Sequence, residues 1–348
     1  MTKIEIGNRL VGRNEACFII AEAGVNHNGD IIMAKKLIDV AKEAGVDAVK
    51  FQTFKAENLV TDEGETADYQ KNNVGKSKGQ LTMLKELELG YEDFAELKKY
   101  GDEKKIIFLS TPHTEDSLDF LDSLVPAFKI GSGDLTNLPF LKKVARKKKP
   151  IILSTGMSTL KEIQGAVNVI KSEGNNKIIL LHCITNYPCT LEEANLKAML
   201  TLEKEFNLPV GYSDHTLGII CPVMAVALGA QVIEKHFTLN KNLPGPDHKA
   251  SLAPDELKEM VKAIRSAEKA LGNGIKKPTK SEEKIKKFVR KSIVAKVNIP
   301  KGAKIVRDMI CIKRPGTGIE PKYFRKVIGK NAQENIKKDE IITFEILK

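Results

Sequence analysis

The chain has 348 residues, of which 42% are hydrophobic, enough for a sizeable core; the length suits one large domain with a small one and is too short for three. A formal net charge of +11 rests on lysine far more than arginine, tryptophan is absent, and the densest run, Arg146 to Lys149, sits just before a strand, so a solvated surface around an anionic ligand is expected and specific nucleic-acid binding is not. The five cysteines, Cys17, Cys183, Cys189, Cys221 and Cys311, are odd in number with no CxxC pair, which excludes a disulfide framework and a thiolate metal site and leaves reduced core filler.

Taken in chain order, residues 1–20 lack the basic start, apolar run and cleavage site of a signal peptide, and no apolar stretch reaches membrane-spanning length, so a soluble cytoplasmic protein is expected. Short apolar strands then alternate with segments of helical period. The strands are CFIIAEAG from Cys17, AVKFQT from Ala48, IIFLSTP from Ile106, AFKIGSG from Ala127, PIILSTG from Pro150, KIILLHC from Lys177, VGYSDH from Val210 and VIEKHF from Val232. Eight such units in about 250 residues predict an α/β fold of the closed (β/α)8 TIM-barrel type over an open doubly wound sheet.

Between the second strand and its helix, Phe54 to Gly90 exceeds ordinary loop length, which suggests a lid or substrate-binding insertion. Thr159 with Glu162 forms a capping box ahead of Ile163, Val167 and Ile170. Pro254 opens a helix whose Leu257, Met260, Val261, Ile264 and Leu271 share a face, with Gly272 at its end. The barrel domain is predicted over 1–274, a lysine-rich linker over 275–287, and a small β-rich domain over 288–348, where SIVAKV and DMICIKR are separated by the turn signals Pro300-Lys301-Gly302 and Pro315-Gly316.

Residues two apart in a strand face the same side, so Glu234 and His236 share one environment while Ile233, Lys235 and Phe237 take the other. The same spacing pairs Ser213 with His215 and Lys50 with Gln52. With Glu22, Thr111, Lys129, Ser132 and Ser154, nearly every strand ends in polar cargo, at the end of a barrel where active sites lie. Taken singly, each has an ordinary structural reading: Ser154 or Thr111 as a helix cap, His182 as a core histidine, a strand lysine as one that snorkels outward.

Inward Lys50 and Lys129 lose hydration unless an anion compensates them; with Ser132, Ser154 and Ser213 they point to a bound phosphate or carboxylate, which Gly131 and Gly133 would let backbone amides approach. His215 and His236 end adjacent strands and suggest an open divalent-ion site such as manganese. Two chemistries follow: metal-assisted carbon–carbon bond formation on a phosphorylated acid, or a Schiff-base aldolase using Lys129.

The segments AEAGVNHNGD (21–30), VKFQTF (49–54), STPH (110–113), KIGSGD (129–134), STGM (154–157), GYSDHTLG (211–218), EKHFTL (234–239) and PGPDHKASL (244–252) resemble the sialic acid synthases, the N-acetylneuraminate synthase family with its legionaminate and pseudaminate relatives. The tail, with KRPGTGI at 313–319, resembles the family's antifreeze-like SAF domain.

The resemblance implies condensation of phosphoenolpyruvate with open-chain N-acetylmannosamine to N-acetylneuraminate and phosphate, or, as an alternative, a legionaminate-type reaction on 2,4-diacetamido-2,4,6-trideoxymannose. It implies Mn2+ or Mg2+ on His215 and His236, phosphoenolpyruvate on Lys50, Thr111, Lys129, Ser132, Ser154 and Ser213, and Glu22 steering or deprotonating the water that attacks. Glu234 binds sugar hydroxyls or shuttles the proton, and Gln52, Tyr187 and Asp247 match sugar contacts. Neuraminate-type members carry an asparagine one residue removed from that tyrosine; here ITNYP puts Thr185 in its place, with Asn186 next to Tyr187, and a threonine retains a hydrogen-bond donor for phosphoenolpyruvate. A homodimer is implied in which Arg314, beside Phe288, reaches the partner's barrel. A non-enzymatic carbohydrate- or ice-binding protein, suggested by the tail alone, leaves the inward polar residues unexplained.

Overall fold

The computed structural model describes residues 3–66, 70–71, 73 and 79–348. The chain divides into two compact units, Met1–Gly272 and Asn273–Lys348.

The first unit opens with a hairpin, β1 (Ile4–Ile6) and β2 (Arg9–Val11), followed by eight strands: β3 (Phe18–Gly24), β4 (Ala48–Thr53), β5 (Ile107–Pro112), β6 (Phe128–Ile130), β7 (Ile151–Ser154), β8 (Ile178–Cys183), β9 (Val210–Asp214) and β10 (Val232–His236). Each lies within one of the eight predicted segments. The hydrogen-bonded order is β5-β4-β3-β10-β9-β8-β7-β6, parallel throughout, and β5 and β6 pack side by side to close a (β/α)8 TIM barrel.

Two layers fill the barrel, because alternate residues point inward. The lower layer is apolar: Phe18, Ile20, Ala48, Leu109, Ile152, Leu181 and Val232 pack with Ile4, Ile6 and Val11 of the hairpin, which plugs the N-terminal mouth. One pleat further along the same strands the register brings Glu22 beside Lys50 and Glu234 beside Ser213, so the inward residues turn polar at the C-terminal ends. A larger apolar shell, including Ala34, Leu37 and Ile38 of the helix Ile31–Ala44, packs between sheet and helices. In the helix Pro254–Leu271 the face Leu257, Met260, Val261 and Ile264 is buried as predicted, while Leu271 at its end is exposed. The capping box of Thr159 and Glu162 is formed.

The segment 54–90 contributes helices at Ala56–Leu59 and Gln80–Leu87, whose Ala56, Met83 and Leu87 pack on Phe54 and Val25. Its stretches 67–69, 72 and 74–78 lie outside the described residues, and with them the part of that segment on which the lid expectation falls. Among the described residues no helix is long and apolar enough to cross a membrane.

In the second unit the stretch read as a linker over 275–287 is helical from Lys280 to Val289, started by a capping box between Thr279 and Glu282. The remainder is a short antiparallel pair, β11 (Ser292–Ala295) and β12 (Ile310–Lys313), with isolated bridges around a core of Ile293, Ile299, Ile305, Ile310, Val327, Ile336 and Ile342. This unit carries twenty-one lysines and arginines against eight aspartates and glutamates, so the chain's whole positive surplus belongs to it and the barrel unit is nearly neutral.

Candidate active site

Four ionisable side chains meet at the C-terminal end of the barrel interior. Glu22 on β3 lies with its Oε2 2.6 Å from Lys50 Nζ on β4, and Lys50 is 3.7 Å from Glu234 Oε2 on β10. Lys129 on β6 is 3.4 Å from Glu234 Oε1. All four are buried. Neutral neighbours fix them: Gln52 donates to Glu22 (3.0 Å), Lys50 to Thr111 (2.9 Å), Ser213 to Glu234 (2.9 Å) and Lys129 to the Ile130 carbonyl (3.2 Å).

The environment drives the two carboxylates apart. Burial pushes Glu22 up, and Glu234 nearby adds to this, so it stays above the usual carboxylate range despite Lys50. Burial acts on Glu234 too, but Lys129, Lys50 and the Ser213 hydroxyl outweigh it and hold it below. The lysines divide similarly: burial is outweighed on Lys50 by Glu22 and Glu234, whereas on Lys129 burial prevails and lowers it. Two neighbouring carboxyls shifted in opposite directions, Glu22 up and Glu234 down, is an arrangement suited to dividing proton-handling roles between them.

Beside this quartet stand His215, which follows β9, and His236, which ends β10, their ring centroids 5.5 Å apart. The Ile184 carbonyl, 2.6 Å from His215 Nδ1, accepts a hydrogen bond from that nitrogen, so in the neutral ring the lone pair is on Nε2. His236 is held well below the usual imidazole range by burial and by His215, Lys50, Lys235 and Lys129, so it is neutral, and its buried Nδ1 has no hydrogen-bond partner. Asp247, buried and pushed up to about 6 chiefly by that burial, brings Oδ2 within 3.9 Å of this nitrogen. Two imidazole lone pairs with a carboxyl alongside fit a divalent cation. No cluster of three or more such ligands exists among the described residues, so the remaining positions would belong to water or substrate.

Tyr187 lies with its ring 3.9 Å from that of His215 and 5.6 Å from that of His236. Ser154 ends β7 with a buried hydroxyl that has no partner. Ser132 accepts a hydrogen bond from the Gly156 amide at 3.0 Å. A Cβ at Gly156 would stand 2.3 Å from Thr185 Oγ1 and 2.8 Å from Ser132 Oγ, so this glycine lets Ser132 and Thr185 converge. At Gly131 and Gly133, expected from sequence to let backbone amides approach an anion, a Cβ would meet only His113, 3.7 Å from that of Gly131, and nothing within 4 Å at Gly133.

Lys235 points away from the site, as its alternation predicts, into a buried ion pair with Asp214 at 2.5 Å and a bond to the Thr216 carbonyl. Cys183, read as core filler, lies with Sγ 3.8 Å from His215 Nδ1; only its register opposite Ser213 on β9 could have told it from the other cysteines. Phe288 and Arg314 belong to the second unit, both exposed. There the Gly316 amide donates to the Lys287 carbonyl at 2.8 Å, which ties the loop after Arg314 to the turn of helix that carries Phe288.

The model of the NeuB family matches residues 37–276 and that of the SAF domain residues 290–348. The N,N'-diacetyllegionaminic acid synthase of Legionella pneumophila is 51% identical over 330 residues, 93% of each chain. The human N-acetylneuraminate-9-phosphate synthase is 38% identical, with 97% of this chain and 95% of that protein covered. Among solved structures, the N-acetylneuraminic acid (sialic acid) synthetase of Leptospira borgpetersenii, in complex with citrate, superposes with a TM-score of 0.72 at 37% identity over 81% of this chain and 94% of that one.

Proposed function

The chain belongs to the NeuB family, with a SAF domain at its C-terminal end, and from that premise we propose that it condenses phosphoenolpyruvate with an open-chain, N-acylated mannosamine-type sugar to give a nonulosonic acid and phosphate. Of the two acceptors, 2,4-diacetamido-2,4,6-trideoxymannose is favoured by the 51% identity to a legionaminate enzyme against 38% to a neuraminate-phosphate one. N-acetylmannosamine is the second reading, supported by the structural likeness to a sialic acid synthetase.

The observation that carries the proposal is the convergence of Lys50, Lys129 and the partnerless Ser154 hydroxyl on the space bordered by Glu22, Glu234 and two imidazoles. Lys50, Lys129, Ser132, Ser154, Ser213, Thr111 and Thr185 bind the phosphate and carboxylate of phosphoenolpyruvate. Its methylene carbon attacks the aldehyde, and positive charge develops at the enol carbon. Glu22 orients and deprotonates the water that captures this carbon, and the tetrahedral intermediate expels phosphate by carbon–oxygen cleavage. Glu234, kept ionised by its two lysines, accepts from the sugar hydroxyls or relays the proton. Gln52, Tyr187 and Asp247 orient the sugar.

His215 and His236 would hold a divalent cation, Mn2+ or Mg2+, which would supply Lewis-acid polarisation of the aldehyde oxygen. The Schiff-base alternative is disfavoured by the surroundings of Lys129, whose Nζ donates to a carbonyl and faces Glu234 among phosphate-type ligands. We place Arg314 and Phe288 on the sugar's N-acyl end of the partner subunit's site in a homodimer. The exposure of Phe288, on a helix with no buried residue, and of Arg314, in the loop after β12, supports this. The test is phosphate release from phosphoenolpyruvate with each sugar in parallel. Turnover several-fold faster with the diacetamido sugar is expected, and release with neither sugar overturns the reading.

A further inference from the structure

The loop that carries Asp247 has no strand or helix to hold it: between Asn240 and the short turn His248–Ala250 the backbone is irregular. Its carbonyls are instead taken up by side chains from distant parts of the barrel unit. Asn28, after β3, donates to the Pro244 carbonyl at 2.9 Å, and Asn73, in the segment after β4, donates to the Pro246 carbonyl at 2.7 Å. Ser251 donates to the Asp247 carbonyl at 2.7 Å while accepting from Asn26 at 2.9 Å, and Asn26 also reaches the Phe237 carbonyl at 2.8 Å.

His248 closes the arrangement. Its Nε2 is 3.0 Å from Asn28 Oδ1 and its Nδ1 2.6 Å from Thr238 Oγ1. Because the Pro244 carbonyl fixes the Asn28 nitrogen as a donor, Asn28 Oδ1 is an acceptor, and the proton of His248 must sit on Nε2. Thr238 then gives its single hydroxyl proton to Nδ1 at 2.6 Å in preference to the Asn240 carbonyl at 3.2 Å. Burial keeps this ring neutral by lowering its pKa to about 4. Gly245, at φ +149°, lies so close that a Cβ would come within 2.7 Å of the His248 ring and 3.0 Å of Asn28 Oδ1.

We propose that Asn28 and His248, seconded by Asn26 and Asn73, are positioning residues for the sugar: they latch the 244–247 loop to the segments after β3 and β4 and so present Asp247 to the acceptor. The proposal rests on the reading of Asp247 as a sugar contact. The groups assigned to phosphoenolpyruvate on the barrel strands, Lys50, Lys129, Ser154 and Ser213, need no such loop, so a loosened latch separates the two substrates.

The experiment compares Asn28→Ala, Asn73→Ala, His248→Asn and His248→Gln, full-length and metal-loaded, in steady-state assays in which each substrate is varied. Losing one hydrogen bond of ordinary net worth should raise the KM for the sugar about tenfold in Asn28→Ala and His248→Asn, with the KM for phosphoenolpyruvate unchanged within roughly twofold. His248→Gln, whose amide nitrogen reaches the place of Nε2, should restore most of the sugar affinity, and Asn73→Ala should move the same constant by less. Asn73→Ala also keeps the test open if a His248 variant fails to fold. Equal rises in both KM values, or a lowered urea midpoint with both KM values unchanged, would overturn the latch. If the wild type turns over neither sugar, the substrate reading has failed and the latch is judged by hydrogen exchange of the 244–251 amides, whose protection Asn28→Ala must lower.

Discussion

Replacing Lys50 by methionine removes the cation between two buried carboxylates while keeping most of the stem that packs in the barrel. Glu22, 2.6 Å away, loses its ion-pair partner, and Glu234 keeps only Lys129. Breaking a buried pair on one side costs about 3–5 kcal/mol, because the remaining charge is left uncompensated. The cost depends on pH, and its sign is fixed by Glu22. In the wild type its folded pKa already lies above the ordinary 4.5, and loss of Lys50 raises it further. A carboxyl whose folded pKa exceeds its unfolded value binds its proton more tightly in the native state. The deficit of Lys50→Met is therefore small below that ordinary value and grows as the pH rises through the folded pKa. Urea unfolding of both proteins at a series of pH values from 4 to 8 measures it. The double variant Lys50→Met/Glu22→Gln, a neutral pair of similar volume, should recover most of the loss at neutral pH. A deficit that is constant with pH, or a double variant no more stable than Lys50→Met, would refute the assignment of the pair as a buried, mutually dependent ion pair.

His215→Ala and His236→Ala should each abolish turnover with little change in urea midpoint, and chelation of the wild type should do the same until Mn2+ or Mg2+ is restored; full activity of His236→Ala in metal-free buffer would remove the metal assignment. Borohydride added during turnover should leave no reduced adduct on Lys129 by mass spectrometry, since the carbon nucleophile comes from phosphoenolpyruvate; an adduct there revives the aldolase chemistry. Equal amounts of inactive His236→Ala and inactive Arg314→Ala, mixed under subunit exchange, should recover about a quarter of wild-type activity, because random pairing leaves half the dimers mixed, each with one intact site. No recovery despite demonstrated exchange places Arg314 in its own chain's site.

The barrel was legible because its signals are local and periodic. Alternation in VIEKHF separates Glu234 and His236 from Lys235, and the structure places Lys235 on Asp214, behind the sheet. The stretch expected as a linker carries eight cations between Lys276 and Lys291, a composition that conceals its helix, whereas Thr279 and Glu282 spell the helix start. Gly156 was missed for another reason. Its value lies in what a Cβ would strike, Thr185 and Ser132, and those come from other loops. The latch on the Asp247 loop was beyond reach in the same way, since Asn28 and His248 are 220 residues apart and only the closed barrel sets them together.

The charge count of the site gives a reason for the cation ligands proposed here to be imidazoles. Lys50 and Lys129 are already matched by Glu22 and Glu234, so the quartet presents no net positive charge to a substrate carrying both phosphate and carboxylate. A carboxylate cage around a divalent ion would cancel that ion's charge too, and the substrate would enter a neutral or negative pocket of low dielectric, which is costly. Imidazole ligands bring no negative charge, so His215 and His236 would leave the two positive charges of a bound cation undiminished. Replacing an imidazole by a carboxylate, His236→Glu for example, would thus retain a metal ligand and still weaken phosphoenolpyruvate. The barrel unit has almost no charge surplus elsewhere to compensate.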